Sequence, residues 1–306
     1  MPGWKAILRP PSARKPRWSW RRCGIEADVT VTRLSETCYL VVTPAATRAA
    51  DQTWLQRHVG DKRVVVTDVT AGEGVLAVMG PNARQVMQAV SPDDFSNDAN
   101  PFGTAQEIEI GLGTARVHRV SYVGELGWEI YIPADQAGHV FETLWEAGQD
   151  FGLTLCGMHA MDTCRIEKAF RHFGHDITCE DHVLEAGLGF AVKTTKPDFI
   201  GRDAVLQKRE AGLQNRLMQF RLTDPEPLLY HHEPILRDGE IVGYLSSGAY
   251  GHHLGGAIGM GYVPCVGETA EQVLASTYEI DVAGVRVKAE ASLRPMYDPT
   301  SAKVRG

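Results

Sequence analysis

The chain has 306 residues, 43% of them hydrophobic, enough to bury a sizeable core and to build more than one domain. Its formal net charge is −7, yet residues 1–23 hold seven basic and no acidic side chains, so residues 24–306 set 24 basic against all 38 acidic ones. A body this acidic argues against nucleic acid, and the lack of any run of eighteen apolar residues argues against a membrane helix.

The basic head (Lys5, Arg9, Arg14, Lys15, Arg17, Arg21, Arg22) is broken by Pro2, Pro10, Pro11 and Pro16. Those prolines spoil the amphipathic helix of a transit peptide, and no apolar core of a secretory signal is present. A disordered nucleic-acid arm is a weaker reading than a non-native, disordered segment produced by a misplaced start or a shifted reading frame. Six cysteines without a CxxC pair indicate neither a disulfide framework nor a structural zinc, and point to a reducing, cytoplasmic setting.

From Ile25 the chain alternates strictly. Ile25, Ala27, Val29 and Val31 face one way, and Glu26, Asp28, Thr30 and Thr32 the other, so Asp28 reads at first as a solvent-side strand residue. TCYLVVT completes a strand pair. AATRAADQTWLQRHVG has helical spacing and stops at Gly60. KRVVVTDVT and GVLAVMG read as strands, and Gly80-Pro81 opens the helix ARQVMQAV. A three-strand meander follows from Glu107 to Pro133, then the helix AGHVFETLWEAGQDFG and a second helical pattern from about Cys156 to Phe173. Beyond a boundary near Gly212, short strands with turns every ten or so residues predict a small barrel or sandwich.

Several motifs offer chemistry. GLGTAR lacks a third glycine and runs into a strand, so a hairpin explains it better than a dinucleotide site. His172 and His175 with Asp176, Glu180, Asp181 and His182 suggest a metal, but their spacing straddles a helix end and a glycine, so no metal site is expected. SYVGELGWEIYIP is more informative. Tyr122 and Glu129 suit stacking on, and two-point acceptance from, a ring with an amino group beside a ring N–H, as in a pterin. In a continuous strand they would lie on opposite faces unless the VGELG turn resets the register.

YVGELGWEIYIP resembles the signature of the aminomethyltransferase (glycine-cleavage T-protein) superfamily. GIEADVTVTRL, IEKAFRHFGHDI, LEAGLGFAV, FIGRDAV and YEIDVAGVRV resemble more narrowly the C-terminal folate domain of dimethylglycine and sarcosine dehydrogenases. The resemblance runs from about Gly24 to Arg305. It implies an α+β fold: an aminomethyltransferase-like folate-binding domain over residues 24–212, followed by a C-terminal β-barrel domain over 213–306.

The resemblance also implies tetrahydrofolate as cofactor. It makes Asp28 the catalytic carboxylate and Tyr122, Glu129 and Arg165 folate-binding residues, Arg165 standing on the helix that follows the pocket. Met161 stands where the glycine-cleavage branch has a folate-binding arginine, which favours the dehydrogenase branch. The implied activity is capture of an iminium or formaldehyde unit from an N-methyl amine as 5,10-methylene-tetrahydrofolate. With no flavin or nicotinamide fingerprint in the chain, oxidation falls to a separate FAD-dependent subunit or domain. Only the basic head stands where the family places several dozen folded residues, so an N-terminal truncation is expected. An inactive folate-binding remnant and a folate-dependent demethylase are the alternatives.

Overall fold

The computed structural model describes residues 3–8 and 24–306. They form two compact units: residues 30–161 with 300–306, and residues 4–8 and 24–29 with 162–299. The expected disordered head lies outside the described residues, apart from the backbone of β1 (Gly3–Leu8).

Strand β2 (Ile25–Arg33) follows β1 in a three-stranded sheet of order β1-β2-β3, with β3 at Tyr39–Val42. The alternation holds through Ile25, Ala27 and Val29, which are buried, but shifts at Val31: Thr32 is buried instead. The shift falls where β2 begins its ladder with β3, Thr30 opposite Val42.

In the first unit, α1 (Arg48–His58) forms where expected, but its one buried residue is Asp51. Thr43 and Thr47 donate hydroxyl hydrogen bonds to that carboxylate, the latter at 2.6 Å. Residues 63–69, expected as a strand, join no ladder among the described residues, and Val65 is 90% exposed. β propensity without a partner strand does not make a sheet.

The antiparallel sheet of this unit has the order β4-β7-β6-β5, from β4 (Glu73–Met79), β5 (Ala105–Ile110), β6 (Gly113–His118) and β7 (Gly127–Pro133). GLGTAR is the β5–β6 hairpin, with Gly111 at φ 57°. Helix α2 (Ala83–Val90) presents Ala83, Val86, Met87 and Val90 at helical spacing, and α3 (Ala137–Gly148) presents Val140 and Leu144. They cover one sheet face, where Trp128, Ile130, Ile132, Val117 and Ile108 complete the core.

Helix α4 (Met158–Glu167) is shorter than the expected 156–173. Ala169 turns left-handed at φ 52°, while the N–H of Ala169 and Phe170 donate to the carbonyls of Ile166 and Arg165 and close the helix.

The second unit carries α5 (Arg202–Ala211) and the expected barrel, closed in the order β10-β11-β8-β13-β12-β9. Its strands are β8 (Asn215–Leu222), β9 (Pro234–Arg237), β10 (Glu240–Gly251), β11 (Gly256–Pro264), β12 (Tyr278–Val282) and β13 (Val285–Ser292). Asp238-Gly239 and Ala283-Gly284 make two tight hairpins with both residues at positive φ, the backbone that two-residue loops require. The short helices α6 (Ala270–Leu274) and α7 (Ala302–Arg305) complete the described elements. Among the described residues, no helix is long and apolar enough to cross a membrane.

Gly24 sets where β2 enters the second unit. A side chain there would put Cβ 1.5 Å from the carbonyl oxygen of Cys179, while the next amide, Ile25, donates to the Asp181 carbonyl at 3.1 Å. Gly24→Ala is expected to cost about 1–3 kcal/mol, as overpacking does, read as a lower denaturant midpoint at unchanged slope.

Candidate functional site

Period two on β7 sends Trp128, Ile130 and Ile132 into the core and Glu129 and Tyr131 to the other face. The Tyr131 hydroxyl donates to Glu129 Oε2 at 2.7 Å, fixing that carboxylate. Burial, reinforced by the negative charge of Glu129, pushes the Tyr131 phenol far above its ordinary value, so it remains a donor. Tyr131 escaped the sequence reading although its signal was available: it lies two residues beyond Glu129 and so shares its face.

The cross-strand partner of Glu129 is His118 on β6, whose ring lies 4.4 Å from that of Tyr131. His118 is 2% exposed, and neither ring nitrogen has a hydrogen-bond partner among the described residues. Burial first, then the Arg116 charge, pulls its pKa down to about 4, so the ring is neutral near pH 7. Nothing local in the sequence marks His118. Only the strand register brings it to Glu129.

Tyr122 lies half-buried in the loop between β6 and β7, not on a strand, so strand period does not decide its direction. That loop is held at both ends. Arg119 Nη1 donates to the carbonyls of Gly127 (3.3 Å) and Val304 (3.0 Å), Arg119 Nη2 donates to the Arg305 carbonyl (3.2 Å), and Gly80 N donates to the Leu126 carbonyl (2.8 Å). Arg119 also sits 4.8 Å over the Trp128 ring. Gly127 allows the close approach of Met79, whose Cγ would lie 2.4 Å from an added Cβ.

The other two expected residues belong to the second unit. Asp28 is half-buried on β2, and burial alone raises its carboxyl from 3.8 to about 6. A carboxylate in such a setting binds a proton readily and gains from a nearby positive charge. Arg165, 1% exposed at the end of α4, is engaged by the protein itself. It donates to Asp162 Oδ1 (2.6 Å), the Phe170 carbonyl (3.2 Å), Ser247 Oγ (2.7 Å) and the fully buried Asp176. Asp176 also accepts from the His172 amide at 3.0 Å and the Ser246 hydroxyl at 2.5 Å, which gives this acid of the histidine cluster a structural set of partners.

Two kinds of polar group therefore stand apart. Arg165 and Asp176 satisfy one another, while desolvation shifts Asp28 and His118 and no opposite charge offsets it. The donor and acceptor chemistry of His118, Glu129 and Tyr131 fits a neutral heteroaromatic ring carrying both N–H and C=O groups.

The raised pKa of Asp28 has a definite consequence for stability. Between 3.8 and about 6 the folded chain holds a proton that the unfolded chain has lost, so this contribution is present at low pH and disappears as pH rises through 6. Asp28→Asn, which cannot ionise, is expected to be more stable than the wild type near pH 7, by at most roughly 3 kcal/mol. The difference is expected to shrink towards pH 4 in urea denaturation series.

A family model described as the GCVT N-terminal domain matches residues 17–196, and one described as the glycine cleavage T-protein C-terminal barrel domain matches residues 215–298. The chain is 41% identical over 286 residues to 4-methylaminobutanoate oxidase (formaldehyde-forming) of Paenarthrobacter nicotinovorans, covering 93% of this chain and 34% of that protein. It is 32% identical over 304 residues to human mitochondrial sarcosine dehydrogenase, covering 93% and 33% respectively. The chain thus spans about a third of the length of these relatives. The crystal structure of glycine cleavage system aminomethyltransferase T from Bartonella henselae matches with a TM-score of 0.75 over 90% of this chain and 73% of that one; at 24% identity this speaks for the fold. The two family models together account for nearly the whole of the described body, and the chain belongs to the glycine cleavage T-protein (aminomethyltransferase) family.

Proposed function

We propose that this chain captures a one-carbon unit on tetrahydrofolate, taking the iminium or formaldehyde formed when an N-methyl amine is oxidised and yielding 5,10-methylene-tetrahydrofolate. The observation that supports the reading is the Asp28 carboxyl on β2, desolvated and raised to about 6, within the segment GIEADVTVTRL that resembles the family. Reduced folate supplies the amine nucleophiles for the one-carbon unit; the protein supplies position and charge.

Asp28 offsets positive charge that develops on the reacting nitrogen and takes up the proton released there. A pKa near 6 suits both tasks: the group is mainly ionised at neutral pH, yet accepts a proton at small cost. Glu129 holds the pterin's amino and ring N–H edge, with Tyr131 fixing the carboxylate from one side. Tyr122, on the clamped loop, packs against the ring. Arg165 was expected to touch folate, but its protein partners support a different part: it positions α4 and the buried Asp176.

The amine class is supported by the relatives, one of them named as a formaldehyde-forming oxidase of a methylamino acid and another as a sarcosine dehydrogenase. Amine oxidation belongs, in this reading, to an FAD-dependent partner or domain outside the chain.

The test has two stages. Titration of the chain with tetrahydrofolate, followed by calorimetry, is expected to saturate; absence of binding overturns the folate reading. With formaldehyde added, the wild type is expected to form methylene-tetrahydrofolate, and Asp28→Asn to lose at least about 100-fold in rate with folate affinity little changed. Transfer that survives Asp28→Asn removes Asp28 from the chemistry. Binding without transfer in the wild type points to an inactive remnant.

A further inference from the structure

We infer that His118 is a ligand-contacting residue, whose imidazole meets the polar edge of the heteroaromatic ring held by Glu129. The inference rests on the folate reading and adds a residue to its site.

Three observations converge. The register of β6 and β7 pairs His118 with Glu129, so both side chains leave the same face of the sheet, with Cβ atoms about 5 Å apart. The imidazole then packs on Tyr131, the residue that fixes Glu129, with ring centroids 4.4 Å apart and planes inclined by 36°. Finally, Nδ1 and Nε2 are both buried and without a hydrogen-bond partner among the described residues.

That last fact separates His118 from a core histidine. A histidine kept for packing ordinarily satisfies at least one nitrogen, because a buried donor or acceptor without a partner costs desolvation free energy. Phenylalanine would fill the same volume without that cost. An imidazole retained here, next to a fixed carboxylate, is stabilised when a ligand brings the missing donor and acceptor.

The chemistry specifies the ligand edge. A neutral imidazole has one N–H donor and one lone-pair acceptor. With Glu129 accepting from the amino and ring N–H side of a pterin, His118 is placed to serve the adjoining carbonyl as a donor. Both nitrogens are closed to solvent, so the contact requires the imidazole to turn about χ2, with Tyr131 giving way, as the ligand seats. Because burial and Arg116 keep the ring neutral, the contact needs no proton uptake near pH 7.

The experiment uses the full chain, tetrahydrofolate as the probe, and two readouts for each variant. His118→Phe is expected to keep or raise the melting temperature, because it removes an unsatisfied polar group, and to weaken tetrahydrofolate binding five- to tenfold. His118→Asn, which restores a donor and an acceptor, is expected to recover part of that affinity. Wild-type affinity in His118→Phe overturns the inference while leaving the folate reading intact; failure of the wild type to bind overturns both. Should His118→Phe not fold, the imidazole nitrogen-15 shifts of the wild type decide. Movement on saturation with tetrahydrofolate supports the contact, and unchanged shifts reject it.

Discussion

Strand β7 obeys a constraint that organises the first unit: its side chains must alternate. Trp128, Ile130 and Ile132 are fully buried under α2 and α3, so Glu129 and Tyr131 are obliged to occupy the opposite face. A slip of one residue would put a carboxylate into the core and expose an indole. The register is therefore held hard. Gly127 lies against Met79, where no other residue fits, and Arg119 ties the carbonyl of Gly127 to those of Val304 and Arg305. The guanidinium lies over Trp128, so one buried cation serves the core and the loop that carries Tyr122.

On the face opposite the core the physics reverses. Groups that interact well with water are withheld from it, and burial shifts their pKa values. Tyr131 is kept a phenol, His118 a neutral imidazole, and in the second unit Asp28 is held nearer its protonated form. Burial is the leading cause in each case. Sites that perform chemistry tend to carry such uncompensated desolvation, because the compensation arrives with the ligand or in the transition state.

The second unit buries charge in another way, by pairing it. Arg165 meets Asp176, Lys168 meets Asp298 at 2.9 Å, and Glu167 accepts from the amides of His253 and Leu254 as well as facing the His253 ring. These contacts join the end of α4 to the turn between β10 and β11 and to the stretch after β13. Removing one partner of such a pair would strand the other in a medium of low polarity, which makes these networks costly to break even where their net gain is modest. Their role is to locate, and the contrast with Asp28 and His118 lies in satisfaction, not in depth of burial.

Much of this was legible in the residues. The alternation of β2, the strand pattern of β7 and the helical spacing of α2 and α3 are local patterns, and each became the element it suggested. The same patterns, with the motif around Tyr122 and Glu129, carried the family resemblance and drew attention to Asp28. Tyr131 was equally readable, by period two. Other features have no local signature. Residues 63–69 are rich in valine yet lack a partner strand, and α4 ends early because the chain reverses at Ala169. His118 reaches Glu129 only through the β6–β7 register, and Asp28 is raised only because its surroundings desolvate it. The sequence by itself determined which faces are apolar and where the chain turns, since those depend on neighbours a few positions away. The tertiary structure alone decided pairing, burial and hence the protonation of the site, since those depend on which distant residues displace water from a given atom.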